Sequence, residues 1–107
     1  MSTAVTPPDE MRQPADWMRP MDDRILEVFR EEGNMTPFAL SREGLIPRVD
    51  TTRHYTAERC RKLVVHGMIE QLDRGLYRIT DEGRAYLDEE LDAATLDKLD
   101  EPRVADE

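Results

Sequence analysis

The stretch that decides the fold is Asp50–Thr80, DTTRHYTAERCRKLVVHGMIEQLDRGLYRIT. Asp50 or Thr51 is placed to cap a helix, accepting a hydrogen bond from an N–H that the first turn leaves unpaired. Thr56, Cys60, Leu63 and Val64 then recur at i, i+4, i+7 and i+8, which lines one face at helical period. Arg53, His54, Tyr55, Glu58, Arg61 and Lys62 fall on the other faces. Gly67, just past the stripe, suits the left-handed position that ends a helix. Beyond it Met68–Leu72 and Leu76–Ile79 flank Asp73-Arg74-Gly75, a short hairpin signal. This pattern predicts a helix over 51–66 and a hairpin over 68–79.

Upstream, Pro20 fits the first position of a helix over 19–32, with Asp22 and Asp23 at the positive end of its dipole and Gly33 as its stop. Ile25, Leu26, Val28 and Phe29 form its apolar face. Thr36-Pro37 is a cap followed by a proline, so a short second helix runs from Pro37 to Arg42 or Glu43, ended by Gly44, with Phe38, Ala39 and Leu40 available to a core. Leu45–Val49 connects it to the third helix. Downstream, Thr80 caps a fourth helix with Asp81 and Glu82 in its first turn. Leu87, Leu91 and Ala94 share one face of it, and the pattern carries on through Leu96 and Leu99 towards Pro102. Residues 1–16, with Pro7, Pro8 and Pro14 and little apolar content, read as a disordered arm; 17–100 read as the folded domain and 101–107 as an acidic tail. Trp17 and Met18 are apolar enough to dock the arm on the domain or on a second subunit.

At 107 residues the chain holds one core. It opens with no charged-then-apolar leader and has no apolar run near the roughly eighteen residues of a membrane span, so a cytoplasmic location is expected. The single cysteine forms no internal disulfide. The net charge is −9, from 24 acidic and 15 basic residues. Its distribution is uneven. Residues 51–79 hold six bases (Arg53, Arg59, Arg61, Lys62, Arg74, Arg78) against three acids (Glu58, Glu70, Asp73), a local +3 that leaves −12 on the rest. A basic face on an acidic body is the footprint of nucleic-acid binding.

Three helices at helix-turn-helix spacing, then a hairpin, is the order of a winged-helix domain: mostly α with a small β-hairpin, here with a terminal helix extension. The words HGMIE, RGLYRIT and DEGRAYL, within KLVVHGMIEQLDRGLYRITDEGRAYL, resemble the winged-helix transcriptional regulators of halophilic archaea related to a halophage repressor. The resemblance spans about Trp17 to Leu91. It implies a DNA-binding transcriptional regulator, a repressor, that reads double-stranded DNA with no cofactor. It also explains an acidic surface with only two lysines, Lys62 and Lys98, as a halophilic adaptation.

Residues early in a recognition helix face base edges, which selects Arg53, His54, Tyr55, Ala57 and Glu58. Arginine can take both acceptors of guanine and glutamate can accept from cytosine. Thr51 and Thr52, with the helix N-terminal amides, suit phosphate. Arg61 and Lys62 lie farther along and suit the DNA backbone, and Arg74 and Arg78 are the wing contacts. The wing loop of about three residues is too short for deep minor-groove insertion. Glu58 and Lys62 are spaced as an i,i+4 pair, and Arg59 beside the stripe suits packing or an ion pair with a first-helix acid.

Enzyme chemistry finds no support. Cys60 lies on the apolar stripe, His54 and His66 stand twelve apart without a metal-ligand spacing, and no Gly-rich phosphate loop is present. A homodimer on a pseudo-palindrome is expected, paired through Trp17-Met18 and the apolar positions Leu87, Leu91, Leu96 and Leu99. The rival reading is a winged helix used as a protein-interaction module without DNA reading. It gains if Asp50, Glu58 or Asp73 neutralise the arginines, and loses if the arginines converge.

Overall fold

The computed structural model describes residues 12–99. Helix α1 spans Pro20–Glu32, α2 Pro37–Leu40, α3 Arg53–Val65 and α4 Asp81–Leu87, with strands β1 Ile69–Asp73 and β2 Leu76–Ile79 between the last two helices. A single 3₁₀ turn, Ala93–Thr95, follows α4. This is the winged-helix order, four helices and an antiparallel hairpin, as the sequence predicts.

The core is where the helical stripes meet. Ile25, Leu26, Val28 and Phe29 of α1 pack with Leu40, with Cys60, Leu63 and Val64 of α3, with Met68 and Ile69, and with Tyr86 and Leu87 of α4. Thr56, the remaining member of the α3 stripe, is also fully buried, its hydroxyl donating to the Thr52 carbonyl at 2.8 Å. Burying a large aliphatic or aromatic side chain contributes about 1.5–3 kcal/mol, so this layer holds α3 in place. One charged pair crosses it. Arg59 donates to both oxygens of the fully buried Asp22, at 2.8 and 2.7 Å, and to the Trp17 carbonyl at 2.9 Å. Asp22 also accepts the Arg19 backbone N–H, fixing the start of α1.

α3 begins two residues later than the sequence suggests. Its cap is Thr52, which accepts the Tyr55 N–H at 3.1 Å, and not Asp50 or Thr51. The preceding loop decides this: the Thr51 carbonyl accepts the Arg42 N–H and Asp50 pairs with the Arg42 side chain, so both are held against α2. At the other end Gly67 adopts φ +80°, donating to Val64 while Met68 donates to Leu63. That left-handed residue closes α3 and aims the chain into β1.

α2 is shorter than expected and ends before Arg42. Buried Ser41 turns extended and its hydroxyl donates to the Phe38 carbonyl, replacing the next helical bond. The hairpin pairs Ile69 with Ile79, Glu70 with Arg78 and Gln71 with Tyr77, with an irregularity at Leu72, and turns through Arg74-Gly75. Met35 exchanges two backbone hydrogen bonds with Tyr77 on the far side of β2, which ties the hairpin to the segment entering α2.

The long terminal helix does not form. α4 ends at Leu87, and Glu89 takes φ +67°. Asp88, Glu89 and Glu90 would stand at the negative end of the helix dipole, which disfavours carboxylates there. Leu91, Ala93 and Leu96 instead fold back on the core. Trp17 also docks internally: its ring stacks on His66 with centroids 3.9 Å apart and planes 9° from parallel, and Met18 is buried. The apolar seam expected to pair two subunits is thus largely consumed within one chain.

Of the expected disordered arm of residues 1–16, Met1–Met11 lie outside the described residues, and residues 12–16 lie against the domain. Arg12 is buried, donating to the Leu87 carbonyl at 3.0 Å and to Glu27 at 2.8 Å, beside Asp23. Gln13 bridges Asp92. The acidic tail 101–107 and the expected continuation to Pro102 also lie outside the described residues.

Candidate nucleic-acid interface

The start of α3, the start of α2 and the hairpin turn open onto one shared groove of about 440 Å³. α3 contributes Arg53, His54 and Ala57, the turn contributes Arg74 and Gly75, and the α2 segment contributes Thr36, Pro37 and Phe38. Gly75 has φ +72°, the left-handed conformation that lets a two-residue turn reverse the chain and set Arg74 beside the helix. The Arg53 guanidinium lies over the Phe38 ring, 5.9 Å from its centroid.

Position along α3 sorts the other expected residues. Residues i, i+3 and i+7 share a ridge, so Arg61 continues the His54–Ala57 line. Arg61 opens on a second concavity with Val64, Val65, Gln71 and Tyr77, farther along the hairpin. Tyr55 stands two positions, about 200°, from both Arg53 and Ala57, which turns it and Lys62 away from the groove. Glu58 lies between the two faces, and the expected Glu58–Lys62 pair is not among the ion pairs of the described residues.

The structure engages two of the expected contacts within the chain. Arg78 sits opposite Glu70 in the ladder and binds its carboxylate at 2.6 Å, in a separate polar recess with Thr80, Asp81 and Arg84. It is neutralised and does not join the groove. The helix amides beside Thr51 and Thr52 are partly taken within the chain. Thr52 caps Tyr55, and the Glu43 carboxylate accepts the Arg53 N–H at 3.1 Å. The positive end of α3 already holds the chain's own anion.

Among the described residues Arg53, Arg61, Lys62 and Arg74 form no ion pair. The basic residues that do pair include Arg12 with Asp23 and Glu27, Arg24 with Glu27, Arg30 with Asp88, Arg42 with Asp50, Arg48 with Glu31 and Glu32, Arg59 with Asp22, Arg78 with Glu70 and Arg84 with Asp81. Arg59 is therefore a core residue, as its place beside the stripe suggests. Cys60 is fully buried and its thiol is pushed up to about 12, chiefly by burial, which leaves it unreactive. The groups of side chains needed to hold a metal ion do not occur among the described residues. No described helix is long and apolar enough to cross a membrane.

Sequence reasoning missed Phe38 and Glu43 as members of this surface. Phe38 was expected in the core, yet it is 47 % exposed. A four-residue helix turns too little surface inward to bury both Phe38 and Leu40, and Leu40 takes the inner place. Glu43 carries no local signal, because it reaches Arg53 across ten residues of loop.

A basic helix start beside a hairpin tip, on a domain of this topology, is the layout of a winged-helix DNA-binding protein. Residues 11–99 match the profile of the winged helix-turn-helix phage repressor family. The chain belongs to that family. A solved structure, the PhiH1 repressor-like protein from Haloarcula marismortui, is similar at 39 % identity and a TM-score of 0.71, over 82 % of this chain and 97 % of that one. No curated protein matches significantly. At the level of the family the protein is a DNA-binding regulator.

Proposed function

We propose that this protein is a sequence-specific transcriptional repressor that lays the start of α3 in the DNA major groove and sets the hairpin tip beside it. The observation that carries the reading is the convergence of Arg53, His54 and Arg74 on one open groove with neither arginine ion-paired among the described residues. Arg53 and His54 face base edges; Arg61, farther along the same ridge, contacts the backbone; Arg74 holds phosphate. Tyr55 and Lys62 flank the interface, and Glu58, between that flank and the groove, disfavours phosphate close by. The interaction-module alternative needed acids to cancel the arginines. Asp50 is instead engaged by Arg42, and Asp73 accepts the backbone N–H of Arg74, which favours DNA.

One α3 and one short wing cover a half-site, so the reading includes a homodimer on a two-fold-symmetric operator. The terminal apolar seam first expected to pair the subunits packs largely within the chain, which leaves less of it for a partner. The acidic, lysine-poor composition fits a protein working at high salt, where phosphate contacts lose affinity and base contacts carry more of the binding.

Fluorescence anisotropy in about molar KCl tests this, using duplexes from the region upstream of the protein's own coding sequence beside scrambled controls. Wild type is expected to bind one native duplex tightly, Arg53→Ala to lose that preference, and Arg78→Ala to keep it. Equal, weak binding to all duplexes, indifferent to Arg53→Ala, would remove DNA reading by this helix. Light scattering at tens of micromolar measures the dimer.

A further inference from the structure

The groove contains an aromatic ring that the core does not require. Phe38 leaves nearly half its surface to solvent, while Leu40 supplies the buried contact of α2. Its ring faces the guanidinium of Arg53, an attraction that narrows the rotamers of an arginine with no acidic partner among the described residues. Ala57, one turn beyond Arg53, and Pro37, beside Phe38, bring further apolar surface to the same concavity. A forked cation thus lies against an apolar hollow.

A phosphate would use the fork and leave the hollow empty. A base step in the major groove can use both: guanine offers O6 and N7 to arginine, and thymine offers its C5 methyl to an apolar surface. We propose that this groove reads a thymine adjacent to a guanine. Arg53 makes the bidentate contact to guanine, held in register by the Phe38 ring, and Phe38 with Ala57 receives the thymine methyl. The proposal rests on the DNA-reading role of α3 and adds the base step it reads.

The experiment uses the full chain and a duplex that wild type selects from a randomised library. Each thymine is replaced in turn by deoxyuridine, which deletes the methyl and keeps the pairing, and each guanine by 7-deazaguanine, which deletes N7. For wild type, one deoxyuridine position is expected to weaken binding about fourfold. The neighbouring 7-deazaguanine is expected to weaken it about tenfold. Phe38→Ala should bind the thymine and deoxyuridine duplexes equally and, with Arg53 no longer held by the ring, keep only part of its discrimination against 7-deazaguanine. Phe38→Leu, which keeps an apolar surface, should retain the methyl preference. Circular dichroism checks that both variants fold. A wild-type protein that selects a sequence but is indifferent to every deoxyuridine overturns this inference and leaves DNA reading standing. So does a methyl effect undiminished in Phe38→Ala. Failure to select any sequence overturns the DNA reading itself, and this inference with it.

Discussion

The Glu43 carboxylate accepts the backbone N–H of Arg53 at 3.1 Å, placing a negative charge of the protein at the N-terminus of α3. A helix N-terminus is ordinarily where phosphate is welcomed. On the proposed reading, general attraction to the DNA backbone is thereby reduced, and discrimination is left to the side chains in the groove. Glu43→Gln keeps an acceptor for the N–H and removes the charge. It is expected to raise affinity for any duplex about threefold to tenfold at low salt, and less at molar salt. The ratio between selected and scrambled duplexes should fall. Anisotropy titrations at several KCl concentrations read both effects, and an unchanged affinity at low salt would place Glu43 outside the interface.

The Asp22–Arg59 pair joins α1 to α3 through the core, with Asp22 fully buried and Arg59 6 % exposed. Removing one member strands the other charge in a low-dielectric interior, at a cost of about 3–5 kcal/mol. Asp22→Asn and Arg59→Met are each expected to destabilise by that order in urea unfolding. The double substitution should cost much less than the two combined, because neither charge is then orphaned. Additive losses would mean that the pair is not coupled.

His66 caps α3 and stacks on Trp17, the only tryptophan of the chain. Burial lowers its pKa below the ordinary value, assisted by the positive charges of Lys62 and Lys98 and opposed by the Lys62 carbonyl at its Nδ1. The unfolded chain therefore binds the proton more readily than the folded one. Stability from this group is complete above about pH 6.5 and is lost as pH falls through the depressed folded value. Urea unfolding followed by Trp17 fluorescence should show wild type losing stability in that window, and His66→Gln losing less. Identical pH profiles would count against the stacked, neutral imidazole.

Gly83 lies in the first turn of α4 where a β-carbon would stand 2.7 Å from Ile79 Cγ1 and closer still to the Met68 carbonyl. α4 rests on the hairpin base because that position has no side chain. Gly83→Ala, despite alanine's better helix propensity, is expected to destabilise by about 1–3 kcal/mol through forced repacking. Thermal unfolding at neutral pH measures it.

Much of the fold was legible because it is written in short-range periodicity. Thr56, Cys60, Leu63 and Val64 are all buried as their spacing requires, and Gly67 and the Arg74-Gly75 turn sit where their backbone freedom is needed. What was not legible depended on distant segments. Asp50 and Thr51 offered a cap to α3, but the fold-back of the α2 loop engages both, and Thr52, which its own spacing did not single out, serves instead. Leu87, Leu91 and Ala94 keep helical spacing across a point where three carboxylates stop the helix. Within the site, Arg53 and Arg74 were legible as basic residues at special positions. The neutralisation of Arg78 follows from strand register, and the arrival of Phe38 and Glu43 from tertiary packing.

On the proposed reading, DNA is read in the groove between the start of α3, the start of α2 and the hairpin turn. Amide chemical-shift mapping tests it most directly, adding a selected duplex to ¹⁵N-labelled protein and then the same duplex scrambled. The expected result is large shifts, specific to the selected duplex, at Thr36, Phe38, residues 53–61, Arg74 and Gly75, with Arg78 and residues 81–84 unmoved. Specific shifts centred on the Arg78 recess, or on the exposed loop around Leu45 and Ile46, would contradict it.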